Sequence, residues 1–486
     1  MRKFILGIDE GTTNLKCVLY DVEKQEISDI EQNTFKNFYP HPAWVEQNAN
    51  EIFKLLLRTA KAVLKRNSVE KGELLGVGIT NQRETVVAWD RRTGEPICNA
   101  IVWQCRRTSN MIEKLTQKQK DLIKEKTGLI ANPYFSASKM KWILDNVPEA
   151  KTLAKSGNLC FGNINTYLAF KLAGSFATDT TNASRTMLMN LKTLEWDDEL
   201  LKLFKIPKAS LPEILPCDAN VGSCKQLLNA PIVGMIGDQQ SSMVGQGAIF
   251  SGDTKLTLGT GAFMLTNIGK DCTKKLPRLL TTVACTLGDK TDYAIEGSMY
   301  SACSALDWLK SGLGQYESVS ETDKMANSLT DNEGVYLVPA FTGLGAPYWN
   351  DNARACIVGM TFATKKEHLV RACLESMVYN TKDIVDEMKK CKMKLKMFSV
   401  DGGGSKSEFT LQFMADMLNH EVVKSKQSQS TALGAIYIAM LSLKLIKKED
   451  IKKLAAEEKK FFPNLKETER KKYYAGWKKA IGNCEI

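Results

Sequence analysis

Three short stretches combine carboxylates, hydroxyls and glycines: Asp9 beside Gly11-Thr12-Thr13, Asp238 within Gly237-Asp238-Gln239-Gln240, and Thr260 between Gly259 and Gly261. Turns of this kind offer backbone N–H groups and hydroxyls to phosphate oxygens. Phosphoryl transfer needs dipoles and a metal to spread charge on the moving group, and a carboxylate to orient and deprotonate the attacking hydroxyl. Asp9 closes an apolar run and suits water-mediated Mg²⁺ binding, because Mg²⁺ keeps much of its hydration and takes one or two carboxylates. Asp238 suits the base. A P-loop is excluded, since Gly404-Ser405-Lys406-Ser407 has the wrong spacing, and no G-x-G-x-x-G occurs. His41, His368 and His420 lie far apart with no H-E-x-x-H pair, which argues against a histidine metal site and a Ser-His-Asp hydrolase.

Elements of matching kind must carry these residues. Lys3 to Asp9 and Leu15 to Tyr20 read as two strands of a β-hairpin around the Gly-Thr turn. Asn48 is placed to cap a helix from Glu51 to about Arg66, where Ile52, Phe53, Leu56, Ala60, Val63 and Leu64 share one face. Strands are expected at Leu74–Thr80 and Thr85–Trp89, and a long helix from Lys366 to Lys390. After Gly245 the strand-then-glycine-turn pattern restarts at Thr254, and a third such turn follows Asp401, ahead of a helix from about Glu408. Such units in both halves predict two α/β domains that contribute loops to one cleft, divided near residue 247.

Composition narrows the class. The chain has 486 residues, 43% hydrophobic and 25% charged, which fits a soluble globular enzyme of two domains rather than a disordered or membrane chain. The formal charge of +11 is concentrated, since residues 444–479 hold thirteen Lys or Arg against six Asp or Glu. Both signs alternate there, so a solvated face is expected and no nucleic-acid partner. Ala432 to Leu443 is too short to span a membrane and reads as a buried helix. The apolar start ends at Gly7 and Asp9, too early for a secretory signal, so a cytoplasmic protein is expected. Thirteen cysteines without a C-x-x-C pair predict reduced, mostly buried thiols.

Several longer motifs extend this reading. They are Asp9-Glu10-Gly11-Thr12-Thr13, Gly78 to Thr85, Ala100-Ile101-Val102-Trp103-Gln104, Tyr134 to Trp142, Thr181 to Leu188, Gly237 to Gln240, Ala346-Pro347-Tyr348-Trp349, Ala355 to Glu375 and Tyr474 to Lys479. With them the chain resembles, nearly end to end, the FGGY carbohydrate kinase family, and within it the members acting on glycerol. Tyr134 to Trp142 fits the first family signature. Ala355 to Glu375 nearly fits the second, with Cys373 where a small or aliphatic residue is usual. The resemblance implies a two-domain, actin-like (ribonuclease-H-like) α/β ATPase fold, with residues 1–247 on the acceptor side and 248–486 on the nucleotide side. It implies transfer of the γ-phosphoryl of ATP·Mg²⁺ to glycerol, giving glycerol 3-phosphate, by a homodimer or homotetramer. Arg83, Glu84, Tyr134 and Asp238 would bind glycerol hydroxyls with Gln239 beside them, and Trp103 and Phe263 would form an apolar wall. Thr12, Thr13, Asn14, Lys16, Gly259, Thr260, Cys303, Asp307, Gly403 and Ser407 would meet the nucleotide. Asp9 and Asp238 would hold the metal.

The nucleotide side departs from the family pattern. Cys303 stands where Gly is usual, Asp307 for Gln, and Ser407 for Asn, changing steric space, charge and reach. Glu10 replaces Gln, Asn14 replaces Ser, and Lys16 replaces Arg, a point charge in place of a planar fork. Ser223 to Leu227 lacks the Gly-rich, Arg-containing loop that binds fructose 1,6-bisphosphate in some bacterial relatives, so no inhibition through that site is expected. Two alternatives stand beside this reading: a family kinase for another polyol or ketose, which is expected to lack the Arg83-Glu84 pair and the Trp103 wall, and a non-catalytic nucleotide-binding regulator, against which Asp9, Thr12, Thr13 and Asp238 argue.

Overall fold

A computed structural model describes residues 2–272, 276–390, 393–426, 429–455 and 457–484. The first sheet contains β1 (Phe4–Glu10), β2 (Asn14–Asp21), β3 (Glu26–Thr34), β4 (Leu74–Asn81), β5 (Gly222–Cys224) and β6 (Ala230–Gly237), in the order β5-β6-β4-β1-β2-β3. Every residue of β1 is buried, as a central strand covered on both faces requires, whereas the edge strand β3 alternates between exposed and half-buried residues. β1 and β2 form the expected hairpin with Asp9 opposite Lys16, and β4 and β6 run parallel alongside β1.

The second sheet repeats this plan. It contains β7 (Thr254–Leu258), β8 (Ala262–Gly269), β9 (Leu280–Leu287), β10 (Lys290–Met299), β11 (Phe398–Asp401), β12 (Val422–Ser425) and β13 (Glu457–Phe461), in the order β9-β10-β8-β7-β11-β12-β13. β7 turns at Gly259–Gly261 into antiparallel β8 and lies parallel to β11, just as β1 turns at 11–13 into β2 beside β4. The two Gly-Thr turns therefore stand at equivalent ends of equivalent strands.

Helices α1 (Ala49–Arg66), α2 (Asp238–Gly245), α3 (Lys366–Lys390), α4 (Glu408–Leu418), α5 (Ser430–Ser442) and α6 (Glu467–Gly482) cover the sheets. Asn48 caps α1 by accepting from Glu51 N–H at 3.1 Å. α5 is apolar almost all round because it is enclosed. Although it comes late in the chain, it packs on the first sheet, with Leu433 and Ile436 among Ile5, Val18 and Val233. It crosses α2 so closely that a Cβ on Gly245 would strike the carbonyl of Ser430, and one on Gly434 that of Ser241.

One expectation is corrected. Cys356 and Cys484 form a disulfide, because α6 docks the C-terminal segment beside the short strand Cys356–Val358; ten other cysteines among the described residues are free thiols. The basic C-terminal stretch is laced with surface ion pairs, including Lys459–Glu408 and Lys460–Glu421. Among the described residues, no helix is long and apolar enough to cross a membrane.

Candidate active site

The ends of β1, β4 and β6 and of β7 and β11 meet at one cleft. β4 runs out at Asn81, and the chain then makes a tight turn in which Glu84 takes the left-handed conformation at φ 62°. For a residue with a Cβ this costs on the order of 1–3 kcal/mol, and it persists only where the surroundings hold it. The next strand therefore starts at Val87 rather than Thr85. Thr85 is used otherwise, its hydroxyl accepting from the Trp103 backbone N–H at 3.2 Å.

The turn drives two charges into the interior. Arg83 places Nε 3.2 Å from Asp238 Oδ1 and its Nη1 and Nη2 at 2.7 and 3.2 Å from the Glu296 carboxylate. Glu84 accepts from Arg185 Nε at 2.5 Å, and Arg185 Nη2 reaches Glu296 at 3.0 Å. The Arg185 guanidinium also lies over the rings of Tyr134 and Phe135, at 5.6 and 5.1 Å from their centroids. Burial pushes the Glu296 carboxyl up, but Arg185 and Arg83 outweigh it and bring the pKa down to about 2.

Asp238 opens α2 directly after β6. Its Oδ1 accepts from Gln239 N–H at 2.7 Å and its Oδ2 from Gln239 Nε2 at 3.3 Å. Gln239 is itself oriented by Lys255 of β7, whose Nζ donates to Oε1 at 2.5 Å. Burial pulls Lys255 down to about 8. Trp103 donates Nε1–H to Thr12 Oγ1 at 2.9 Å and meets Tyr134 edge-on at 5.5 Å. Phe263 arrives from β8, half-buried and in register with Thr257 and Ser298; among the described residues it makes no ring contact with Trp103 or Tyr134.

Asp9, at the end of β1, has Lys16 Nζ at 4.0 Å. Burial raises its pKa to about 6; Lys16 opposes the shift and Asp238 adds to it. Two acidic side chains thus sense each other at the cleft, an oxygen donor pair with Lys16 beside one member and Arg83 beside the other. Among the described residues, no group of three or more His, Cys, Asp or Glu could hold a metal ion.

Across the cleft, the Gly259–Gly261 turn is tied to the start of the helix Cys303–Ser311. Cys303 N–H donates to Gly259 O and Ala302 N–H to Thr260 O. Cys303 Sγ lies near Leu258 O and Gly404, next to Gly403. Asp307 projects from the exposed side of that helix. Ser407 caps α4 by accepting from Thr410 N–H at 3.0 Å and donates to Asp323 at 2.5 Å. Thr12, Thr13, Asn14 and Lys16 lie on the facing turn and the start of β2, with Thr13 exposed.

The structure thus brings Arg83, Glu84, Trp103, Tyr134, Asp238 and Gln239 together, and sets Gly259, Thr260, Cys303 and Gly403 around a second loop cluster. Arg185, Glu296 and Lys255 are absent from the set read from sequence. A signal existed for two of them. Glu296 interrupts the apolar run Tyr293-Ala294-Ile295, and Lys255 stands in a short buried strand, where a charge needs a partner.

Two sheets of one plan, each ending in a glycine-threonine turn at a shared cleft, define a kinase of the two-domain, actin-like ATPase class. The chain belongs to the FGGY family of carbohydrate kinases: the N-terminal domain of that family matches residues 4–245 and its C-terminal domain residues 254–443. It is 46% identical over 485 residues to a glycerol kinase of Thermococcus onnurineus, covering 99% of this chain and 98% of that one. It is 44% identical over 490 residues to a glycerol kinase of Treponema denticola, covering 99% of each. Among solved structures it is similar to Plasmodium falciparum glycerol kinase with ADP, at a TM-score of 0.94 and 36% identity over 100% of this chain and 99% of that one. A ligand-bound xylulose kinase from Lactobacillus acidophilus is similar at a TM-score of 0.90 and 26% identity, covering 99% of this chain and 98% of that one.

Proposed function

We propose that this chain is a glycerol kinase that transfers the γ-phosphoryl of ATP to a terminal hydroxyl of glycerol, giving glycerol 3-phosphate, with Asp238 as general base. One observation carries the assignment of the base. The side chains of Glu84 and Glu296 are at most 2% exposed and that of Asp9 is 11% exposed, whereas that of Asp238 is 26% exposed while Arg83 holds its Oδ1. Of these four acids it is the most open to an incoming hydroxyl.

A three-carbon triol has hydroxyls along one edge and C–H groups along the other. Arg83, Glu84, Tyr134, Asp238 and Gln239 would hold the polar edge by charge-assisted hydrogen bonds, and Trp103 and Phe263 would face the apolar one. Thr12, Thr13, Asn14 and Lys16 from the first lobe and Gly259, Thr260, Cys303, Asp307, Gly403 and Ser407 from the second would surround the nucleotide. Asp238 takes the proton of the terminal hydroxyl as its oxygen attacks the γ-phosphorus in line and ADP leaves. Lys16 would place a point charge against the polyphosphate. Asp9 and Asp238 would hold Mg²⁺, which supplies neutralisation of the charge developing on the phosphoryl oxygens. Domain limits of 1–247 and 248–486 belong to the same reading, supported by the first sheet ending at Gly237 and the second beginning at Thr254. So do a homodimeric or homotetrameric state and a cytoplasmic location; ten free thiols among the described residues favour the latter and the Cys356–Cys484 disulfide does not.

The test is phosphorylation of glycerol by ATP in a coupled assay, against a panel of pentuloses and other polyols. Asp238→Asn should lower kcat by about 10²–10⁴-fold, the contribution of a positioned base, with an unchanged melting temperature. Turnover within about tenfold of wild type would remove Asp238 from that role.

A further inference from the structure

Glu296 takes no part in the transfer described above, yet it is fully buried and receives three N–H groups from two guanidiniums. Ser298 Oγ donates to it as well, at 3.3 Å. The members of this cluster come from opposite lobes. Arg83, Glu84 and Arg185 belong to the first half of the chain, whereas Glu296 sits on β10 of the second sheet. Arg83 is the shared member: its Nη pair faces Glu296, and its Nε faces Asp238.

A guanidinium presents its N–H donors in one rigid plane, so the partner of one edge decides what the other edge can do. Resting on the reading of Arg83 and Asp238 as acceptor-site residues, we propose that Glu296 is a positioning residue. From the opposite lobe it clamps the Arg83 fork so that Nε alone meets Asp238, which makes a formed acceptor pocket conditional on the two lobes being together. Without this clamp only the neutral Gln240 Oε1, 3.2 Å from Nη1, restrains the fork, and Arg83 can turn its Nη groups onto the Asp238 carboxylate, where a bidentate pair occupies the oxygens that the hydroxyl needs. Arg185 would share the loss, because its second carboxylate partner, Glu84, is the remaining acid in the cluster.

The test uses the full-length enzyme and two variants: Glu296→Gln, which keeps the shape, and Glu296→Asp, which keeps the charge with a shorter reach. Glycerol binding is measured by calorimetry without nucleotide, alongside kcat and KM for both substrates and the melting temperature. Glu296→Gln should weaken glycerol binding and kcat/KM for glycerol by about 30-fold or more, as loss of one partner in a buried ion pair does. The KM for ATP should stay within about twofold, and Glu296→Asp should recover part of the loss in glycerol KM. Glycerol binding within about threefold of wild type in Glu296→Gln overturns the proposal, as does a loss spread equally over both substrates. Should Glu296→Gln not fold, Glu296→Asp decides alone: a glycerol KM raised about fivefold or more with ATP KM unchanged supports the role, and an unchanged glycerol KM overturns it. The underlying reading fails separately, by a wild-type protein that binds no glycerol at all.

Discussion

Lys139 shows how far a single side chain in this enzyme has been removed from water. It lies on the helix Ser136–Asn146, is fully buried, and donates Nζ to the carbonyls of Tyr134 at 2.5 Å and Phe135 at 3.1 Å, so its amine fixes the loop that presents Tyr134. Burial pulls its pKa from 10.5 down to about 7, with Glu84 opposing. The folded protein therefore releases this proton before the unfolded chain does. Between about pH 7 and 10.5 the unfolded state binds more protons, and the contribution of Lys139 to stability rises with pH. Unfolding free energies of wild type and Lys139→Met, compared at pH 7 and pH 9, should diverge in favour of wild type by roughly 2 kcal/mol. A gap that stays level or narrows would show that the ammonium is hydrated. Arg83 shows the opposite shift: three carboxylates, on Glu84, Glu296 and Asp238, lie around one buried guanidinium and outweigh the burial that would lower its pKa.

Among the elements, the crossing of α2 and α5 matters most to the site, since α2 begins with Asp238. Ser241 Oγ donates to Thr431 O at 2.6 Å, and Ser430 donates to Asp401, whose other oxygen accepts from Thr257 at 2.6 Å. The start of α5 is thereby tied to β7 and β11 of the second sheet while its body rests on the first. Gly434→Ala would push these helices apart, and overpacking of this kind costs about 1–3 kcal/mol. Denaturant unfolding should show that loss. The same variant should lower kcat more than the KM for either substrate, because the whole of α2 shifts. An unfolding midpoint equal to that of wild type would mean that the crossing yields freely.

At the scale of the whole molecule, the Cys356–Cys484 bond ties the C-terminal helix into the second lobe and closes 128 residues of chain. The chain-entropy account sets an upper value of about 4–5 kcal/mol for a loop of that size. Cys484→Ser should unfold at lower denaturant than wild type under oxidising conditions, and a reductant should abolish the difference. Equal midpoints in both conditions would show that the thiols are unjoined. Much of this molecule follows from local rules. The period of apolar residues marks α1 and α3, an unbroken apolar run marks α5, the glycine turns mark the ends of β1, β7 and β11, and the local motifs carry Asp9, Arg83, Glu84 and Asp238, because each depends on neighbours a few residues away. The clamp on Arg83 does not. Glu296 lies 213 residues from Arg83 in sequence, and only the strand order of two sheets brings them within a hydrogen bond. Burial then selects which charges must pair. That selection is made by the interior as a whole, which no local stretch of sequence encodes.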